Sequence, residues 1–267
     1  MENQIFCEIC NTSVMKYYSK NDIDLFKCPN CYFIFADRHA EINFNYQTDF
    51  YVNIAERANA VHEFYAEARF KLIKKYKPYI ESILDVGCGS GIFLTKINSD
   101  VRQSKGIDIS EKAVKQAKRK GLNVELKSVF EEYDKYDVIT LIEVVEHLQD
   151  LNALFDKLYN LLNKDGIIYF QTGNTSSFQF FLKRKKWHYF DPPAHCSYLG
   201  KKNIRTLLKN HNFKILYIGS GVDLRSYLMT NNKPYNFFSV LKAIIGKIQF
   251  NGFTIPSTFG VIAKRIS

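Results

Sequence analysis

Hydrophobic and polar positions change period along the chain, and each change marks a new kind of element. Ala58, Val61, Tyr65, Ala68 and Leu72 recur at spacings of 3 and 4, which predicts one amphipathic helix ended by Pro78. From Ser82 short apolar runs alternate with helical stripes. Ile83 to Val86 reads as a strand, a helix follows Gly91, Gly106 to Ile109 is a second strand, and a helix runs from Ser110 as N-cap to Gly121 just past its end. Val124 to Leu126 and Val138 to Ile142 are the next strands. A helix after Asp150 then places Leu151, Leu154, Phe155, Leu158, Leu161 and Leu162 on one face, and Ile167 to Gln171 follows as a strand. A helix near Ile204 to Leu208, a strand Phe213 to Ile218 and a strand around Phe259 to Lys264 complete the pattern. Strands alternating with helices predict an α/β fold, a doubly wound sheet covered on both faces. Two stretches, 173–200 and 220–256, break the alternation on the carboxyl side of the sheet, where a lid or substrate cover belongs. Within the second, Tyr235 to Phe250 is amphipathic; a lid or interface helix suits it better than a membrane contact, and it permits a homodimer.

The first 36 residues follow a different logic. Cys7-x2-Cys10 is separated by 17 residues from Cys28-x2-Cys31, the spacing of a zinc ribbon. Each CxxC turn brings two thiolates to one ion, and the segment around Ile23 to Phe26 returns as a hairpin to complete a closed, structural tetrahedral site. Two disulfides or a redox CxxC are the alternatives, the first disfavoured in a reducing compartment and the second lacking a βαβ context. Cys88 and Cys196 stand alone and read as small packing residues. The expected organisation is a ribbon over 1–36, a linker and helix over 37–79, and the doubly wound domain over 80–267 with its two insertions.

Composition narrows the class without naming a function. With 46% hydrophobic and 24% charged residues, 6 Pro and 13 Gly in 267, the chain is packed and neither disordered nor collagenous. No basic segment followed by an apolar stretch opens it and no run of about 18 apolar residues occurs, so a cytoplasmic protein is expected. The net charge of +10 would suit an anionic partner. Much of it reads as solvated helix surface, since Lys112, Lys115 and Arg119 lie opposite Ala113, Val114 and Ala117. The run Lys183 to Lys186, followed by Trp187, His188, Tyr189 and Phe190, could instead grip phosphate or nucleic acid, or be an exposed basic turn.

The candidate chemistry starts where Ile83, Leu84, Asp85 and Val86 run into Gly87-Cys88-Gly89-Ser90-Gly91. Alternate glycines allow a tight strand-to-helix turn whose backbone approaches a ligand closely. The spacing differs from the dinucleotide G-x-G-x-x-G, and no Gly-Lys-Ser/Thr is present, which excludes a P-loop. Asp108 ends the next strand, where an acceptor for two ribose hydroxyls belongs.

Taken in order, ILDVGCGSGIF, GIDIS, YDVITLIEVVEHL and LNKDGIIYFQTGN resemble the motifs of class I S-adenosylmethionine (AdoMet)-dependent methyltransferases over roughly residues 80 to 218. With the cysteines in front and Trp187 and Pro193-Ala194-His195 after the fifth strand, the chain is similar to a small-molecule subgroup carrying an N-terminal zinc segment, often linked to sugar or surface-polysaccharide chemistry. Glu143-Val144-Val145-Glu146-His147 also resembles ubiquinone-biosynthesis O-methyltransferases. The resemblance implies a Rossmann-like sheet with AdoMet as methyl donor. It implies that Gly87, Cys88, Gly89 and Gly91 form the cofactor loop, Asp85 supports it, Asp108 holds the ribose, Ile109 packs on adenine, and Ser128, Val129 and Phe130 lie at the adenine edge. Many relatives carry an acidic residue where Ser128 stands.

Methyl transfer from a sulfonium is an in-line displacement, so a base is needed only if the acceptor must lose a proton. His147 and His195 are the candidate bases, with Glu143 beside them. Glu143, Glu146 and His147 fall on one side of a helical turn, and the ubiquinone-type resemblance implies a divalent ion there; a hydrogen-bonded structural cluster is the alternative. The expected activity is O-methylation of a small polar acceptor, with a phosphorylated or nucleotide-linked sugar as the favoured class. An RNA methyltransferase and a non-catalytic AdoMet-binding scaffold are the alternatives.

Overall fold

The structure is a computed structural model that describes residues 4–37, 59–219, 249–250, 253–254 and 257–266. Seven strands form the central sheet. In chain order they are β4 (Ser82–Val86), β5 (Gln103–Asp108), β6 (Val124–Leu126), β7 (Tyr136–Ile142), β8 (Leu162–Gly173), β10 (Phe213–Gly219) and β13 (Thr258–Arg265). Their spatial order is β10-β13-β8-β7-β4-β5-β6. The pairs among β4 to β8 are parallel, whereas β13 runs antiparallel to both β8 and β10. The chain winds outward from β4 through β5 to β6, then returns to place β7 on the other side of β4. The carboxyl ends of β4 and β7 therefore part at the crevice where α/β sheets bind ligands.

Side-chain alternation along the strands sorts the core into two layers. In β7, Val138 faces one layer with Ile83, Ile167 and Tyr169, and Ile139 faces the other with Leu84, Ile168 and Phe170. Helices α1 (Asn59–Tyr76), α2 (Ile92–Ile97) and α3 (Glu111–Arg119) cover the first layer through Phe70, Ile73, Phe93, Ile97 and Ala117. Helices α4 (Leu151–Leu161) and α6 (Lys201–Asn210) cover the second through Leu154, Phe155, Leu158, Ile204 and Leu207. The predicted caps are in place. Ser110 Oγ accepts the Ala113 N–H at 3.4 Å and Asp150 Oδ1 accepts the Ala153 N–H at 2.9 Å.

The N-terminal segment forms the hairpin its pattern predicts, β1 (Met15–Lys20) against β2 (Ile23–Lys27), with β3 (Ile34–Ala36) beside it. It is not set apart from the core. Cys7, Ile9, Cys28, Cys31, Phe33 and Phe35 share a buried cluster with the α4 and α6 residues. Glu8 accepts the Leu151 N–H at 3.1 Å, and Asn210 Nδ2 donates to the Ile9 carbonyl at 2.9 Å.

The stretch 173–200, where a lid or substrate cover is expected, packs onto the ribbon. After α5 (Phe178–Lys183) it packs Trp187, Tyr189, Phe190, Cys196 and Tyr198 against Ile23, Leu25, Ile34 and Ala36 of the ribbon. Its strand β9 (Ser197–Tyr198) pairs with β3, so it extends the ribbon sheet to four strands. The reason is hydrophobic: Trp187 and Phe190 are too large and apolar to leave in water, and the ribbon sheet is the nearest apolar face. Those rings are therefore closed to base stacking, while Lys183 to Lys186 remain exposed. Most of the linker (38–58) and of the 220–256 insertion, including the amphipathic 235–248, lies outside the described residues; of the insertion, β11 (Gln249–Phe250) and β12 (Phe253–Thr254) form an antiparallel pair. No described helix is long and apolar enough to cross a membrane.

Candidate active site

Past Val86 the chain turns through the glycine loop with Gly87 at φ 66° and Gly89 at φ 55°, conformations L side chains rarely adopt. A Cβ on Gly87 would lie 2.4 Å from Val144 Cγ2, whereas one on Gly89 would meet nothing within 4 Å. Gly87 is thus a close-approach residue, and Gly89 opens onto space. Asp108 at the end of β5 ties the loop down: Oδ2 accepts the Gly89 N–H at 2.8 Å and Oδ1 the Ser110 N–H at 2.7 Å. Burial raises the Asp108 pKa, partly offset by those backbone donors. Each carboxylate oxygen keeps a further lone pair for a hydroxyl donor.

Between these elements lies a cavity of about 340 Å³. Gly87, Gly89 and Ser90 form one wall, Asp108 and Ile109 the next, Ser128, Val129 and Phe130 a third, and Glu143, Val144, His147 and Leu148 the fourth. Ile109 and Phe130 are 53% and 42% exposed, apolar surface that a planar apolar ligand would cover. Lys127 also lines the cavity and is held by the carboxylates of Glu125 and Glu132. Ser128 caps the turn Val129–Glu131, accepting the Phe130 N–H at 3.4 Å.

Four of the expected residues stand outside this lining. Asp85 is buried behind the loop, where Thr140 Oγ1 donates to it at 2.6 Å; burial, with the nearby Asp108 charge, lifts its pKa to about 7. The Cys88 thiol faces away from the cavity toward Gly106, and burial raises its pKa. Gly91 lies at the start of α2 against Leu122. His195 stands one layer out, its ring 4.8 Å from that of His147 and edge to face with it. The Cys88 side chain therefore serves packing, as its isolated position suggests, and Gly91 belongs to the helix start.

Glu143 takes a left-handed conformation, φ 57°, and lines the cavity. Its Oε1 accepts from Gln171 Nε2 at 2.8 Å, and Gln171 Oε1 in turn accepts from Arg69 Nε at 3.1 Å and Tyr169 OH at 3.3 Å. Burial raises the pKa of Glu143 and holds that of Glu146 far above the usual carboxylate range, the neighbouring Glu143 adding to the second. Glu146 Oε2 accepts from Thr172 Oγ1 at 2.8 Å, and Oε1 has no donor among the described residues. Sequence reasoning missed Arg69 and Gln171. A Gln at the carboxyl end of a buried strand was the available signal, because a buried amide needs partners.

Both histidines are neutral at pH 7. Burial lowers the His147 pKa to about 4, and His195 beside it lowers it further, against the backbone carbonyls of Ala194 and Glu143. His147 Nδ1 lies 2.6 Å from the Ala194 carbonyl. Burial also takes His195 to about 4, and its Nδ1 donates to the Tyr189 carbonyl at 2.8 Å, which leaves the lone pair on Nε2. Glu146, His147 and His195 each bring one donor atom within 4.8 Å of the others, and Glu143 is not part of that group.

Some distance away, the Sγ atoms of Cys7, Cys10, Cys28 and Cys31 lie within 4.8 Å of one another, with Cys7 to Cys31 at 3.6 Å and Cys10 to Cys28 at 3.4 Å. Tetrahedral zinc thiolates at about 2.3 Å from the ion place their sulfurs roughly 3.8 Å apart, so the four residues fit such an ion. All six cysteines are unbonded.

The family described as "Methyltransferase domain" matches residues 55–218, and the chain belongs to it. The chain is an S-adenosylmethionine-dependent methyltransferase. It is 30% identical to the malonyl-[acyl-carrier protein] O-methyltransferase 1 of Ilyobacter polytropus over 71% of this chain and 74% of that one. It is 26% identical to the ubiquinone biosynthesis O-methyltransferase of Pelagibacter ubique over 68% of this chain and 81% of that one. The match to the Bordetella avium protein of the same name is 33% identical and spans 42% of that protein. Among solved structures, an S-adenosylmethionine-dependent methyltransferase from Clostridium acetobutylicum superposes at TM-score 0.56 with 12% identity, covering 82% of this chain and 99% of that one. One from Archaeoglobus fulgidus gives 0.56 with 22% identity, covering 81% and 100%. These likenesses establish the fold.

Asp108→Ala is expected to weaken AdoMet and its demethylated product alike, by about 5- to 150-fold, since both carry the ribose hydroxyls that lose a buried acceptor. Titration calorimetry of the two ligands checks it, and equal affinities in wild type and variant would move the ribose site elsewhere.

Proposed function

We propose that this enzyme methylates a hydroxyl oxygen of a small neutral acceptor, and that the His147–His195 pair beside the cofactor cavity serves the acceptor. AdoMet lies in the cavity with its methionine and ribose portions along Gly87 to Gly89, its ribose hydroxyls on Asp108 and its adenine between Ile109 and Val129-Phe130. The acceptor oxygen, aligned at about 3 to 3.5 Å, attacks the methyl carbon in line. The carbon–sulfur bond breaks, its electron pair returns to sulfur, and the hydroxyl proton passes to His195 Nε2. His195 is the better base because one backbone carbonyl fixes its tautomer, whereas two carbonyls draw the His147 ring. The observation that carries this reading is a neutral imidazole pair, His147 in the cavity lining and His195 one layer behind it, beside Glu143 and Glu146. A phosphorylated or nucleotide-linked sugar would call on cations, and the described lining offers only Lys127, already held by two carboxylates. Both relatives matched over most of their length are named as O-methyltransferases, which supports oxygen as the target. Labelled AdoMet incubated with pools of hydroxyl-bearing metabolites, carboxylic acids and RNA tests the class, and label confined to RNA would overturn it.

The pH profile follows from the depressed pKa values. A base that must be neutral, with a folded pKa of about 4, loses activity as pH falls through about 4 and has no histidine limb near 6.5. His195→Ala is expected to cut turnover by roughly 100- to 10,000-fold with AdoMet affinity nearly unchanged. Steady-state kinetics from pH 4 to 8 check this; wild-type turnover in the variant would leave His195 outside the chemistry.

A zinc ion bound by Cys7, Cys10, Cys28 and Cys31 is the reading the thiol geometry favours. One zinc per chain is expected by elemental analysis, and four freely titratable thiols in metal-free protein would sink the assignment.

A second reading of the acceptor side rests on Glu146 Oε1, which is satisfied either by a proton shared with Glu143 or by a cation. A divalent ion there would take Glu146, His147 and His195 as ligands. Should turnover vanish on dialysis against a chelator weak enough to spare the cysteine site and return with Mg²⁺ or Mn²⁺, the ion is supported; unchanged turnover removes it.

A further inference from the structure

The loop that carries His195 is fastened on two sides, to the turn that follows β7 and to the ribbon. On the first side His147 Nδ1 lies 2.6 Å from the Ala194 carbonyl, and Tyr189 packs on Gly173 at the end of β8. At the end of β1 Lys20 Nζ donates to the Phe190 carbonyl, and in the turn that follows Asn21 Nδ2 donates to the Pro192 carbonyl at 2.5 Å. The Ala36 N–H at the end of β3 donates to the Cys196 carbonyl at 2.8 Å. On its other side the same residue reaches the cavity wall: the Cys196 N–H donates to the Glu146 carbonyl at 2.8 Å, and Ser197 Oγ donates to the Leu148 carbonyl at 2.7 Å. Within the loop, the His195 N–H donates to the Asp191 carbonyl at 2.9 Å and Tyr198 OH to the His195 carbonyl at 2.7 Å. The strip from Tyr189 to Tyr198 is therefore held between the ribbon and the turn bearing His147. None of the residues lining the cofactor cavity comes from the ribbon.

We propose that the ribbon is the positioning device for the acceptor side: Lys20, Asn21 and β3, held together by the four-cysteine site, set His195 against His147, while methyl-donor binding is independent of them. The proposal rests on the reading of the histidine pair given above. Its chemistry is one of division. The donor half is built from the glycine loop and Asp108, which the sheet positions. The acceptor half is built from a loop whose Phe190, Pro192 and Cys196 carbonyls take their donors from the ribbon. Lys20 and Asn21 act through the loop and are positioning residues, with no contact to a reacting atom.

The test spares the metal site. Asn21 sits at φ 51°, a conformation Asp tolerates, so Asn21→Asp removes the donor without backbone strain. Combined with Lys20→Met it deletes both hydrogen bonds to the loop and the 4.0 Å ion pair of Lys20 with Asp191, and Lys20→Arg is the conservative control that keeps a donor and the charge. In the double variant, with zinc content unchanged, amide exchange over 189–196 and carbethoxylation of His195 are expected to rise about 10- to 100-fold, as two lost hydrogen bonds imply. AdoMet affinity by calorimetry is expected to stay within about 2-fold, because no cavity contact is touched. Lys20→Arg is expected to restore most of the protection. On any acceptor the enzyme turns over, kcat falls and the KM for AdoMet holds. The proposal is overturned if His195 protection is the same in the double variant as in wild type, or if AdoMet affinity falls as far as His195 protection does. Loosened His195 with unchanged kcat would sink the base reading and leave the positioning role standing.

Discussion

Everything at the site depends on how closely the chain leaving β4 can approach the chain leaving β7. Gly87 and Val144 meet where even a methyl group would collide, so the two strand exits are pressed together at their base and diverge above it. That divergence is the cavity. A glycine at 87 is required by the approach, and Asp108 then converts a flexible turn into a fixed one by accepting the Gly89 and Ser110 N–H groups. The Arg69–Gln171–Glu143 relay does the same on the β7 side, where it holds a residue of unfavourable backbone conformation at the cavity wall. The floor is thus rigid before any ligand arrives, which is the condition under which alignment can accelerate a displacement.

Electrostatics add a second constraint. Asp85, Asp108, Glu143 and Glu146 are all wholly or largely withdrawn from water around one cavity, and burial raises the pKa of each. Arg69 reaches this group by hydrogen bonding through Gln171. A molecule that brings positive charge into such a place is welcomed, and the sulfonium and ammonium of the methyl donor do so. The product has lost the sulfonium charge and so loses part of this attraction, which favours its release after transfer.

Much of this was legible in the residues. The 3 and 4 spacing, the capping Ser110 and Asp150, and the glycine loop each carry their own local physics, so strands, helices and the donor half could be placed in order. What escaped is non-local. Nothing near Trp187 or Phe190 announces that their partner is a hairpin about 160 residues earlier, since hydrophobic contact leaves no trace in spacing. The Arg69 to Gln171 bond joins a helix to a distant strand end for the same reason. Burial, too, could not be read in advance: an isolated histidine suggests a titration near neutrality, and only packing moves it to about 4.

The position of β13 bears on how the molecule is made. Strand β10 emerges from the ribosome before β13, yet its place in the sheet is reached only across β13, which lies between it and β8. Until residues 258–265 arrive, β8 presents a bare edge and β10 has no neighbour to join among the described strands. The wound half of the sheet, β4 to β8, can assemble as it is synthesised, because each of its pairings uses strands already present. The last pairing must wait, and during that interval the exposed edge of β8 is the place where two nascent chains are most apt to stick together.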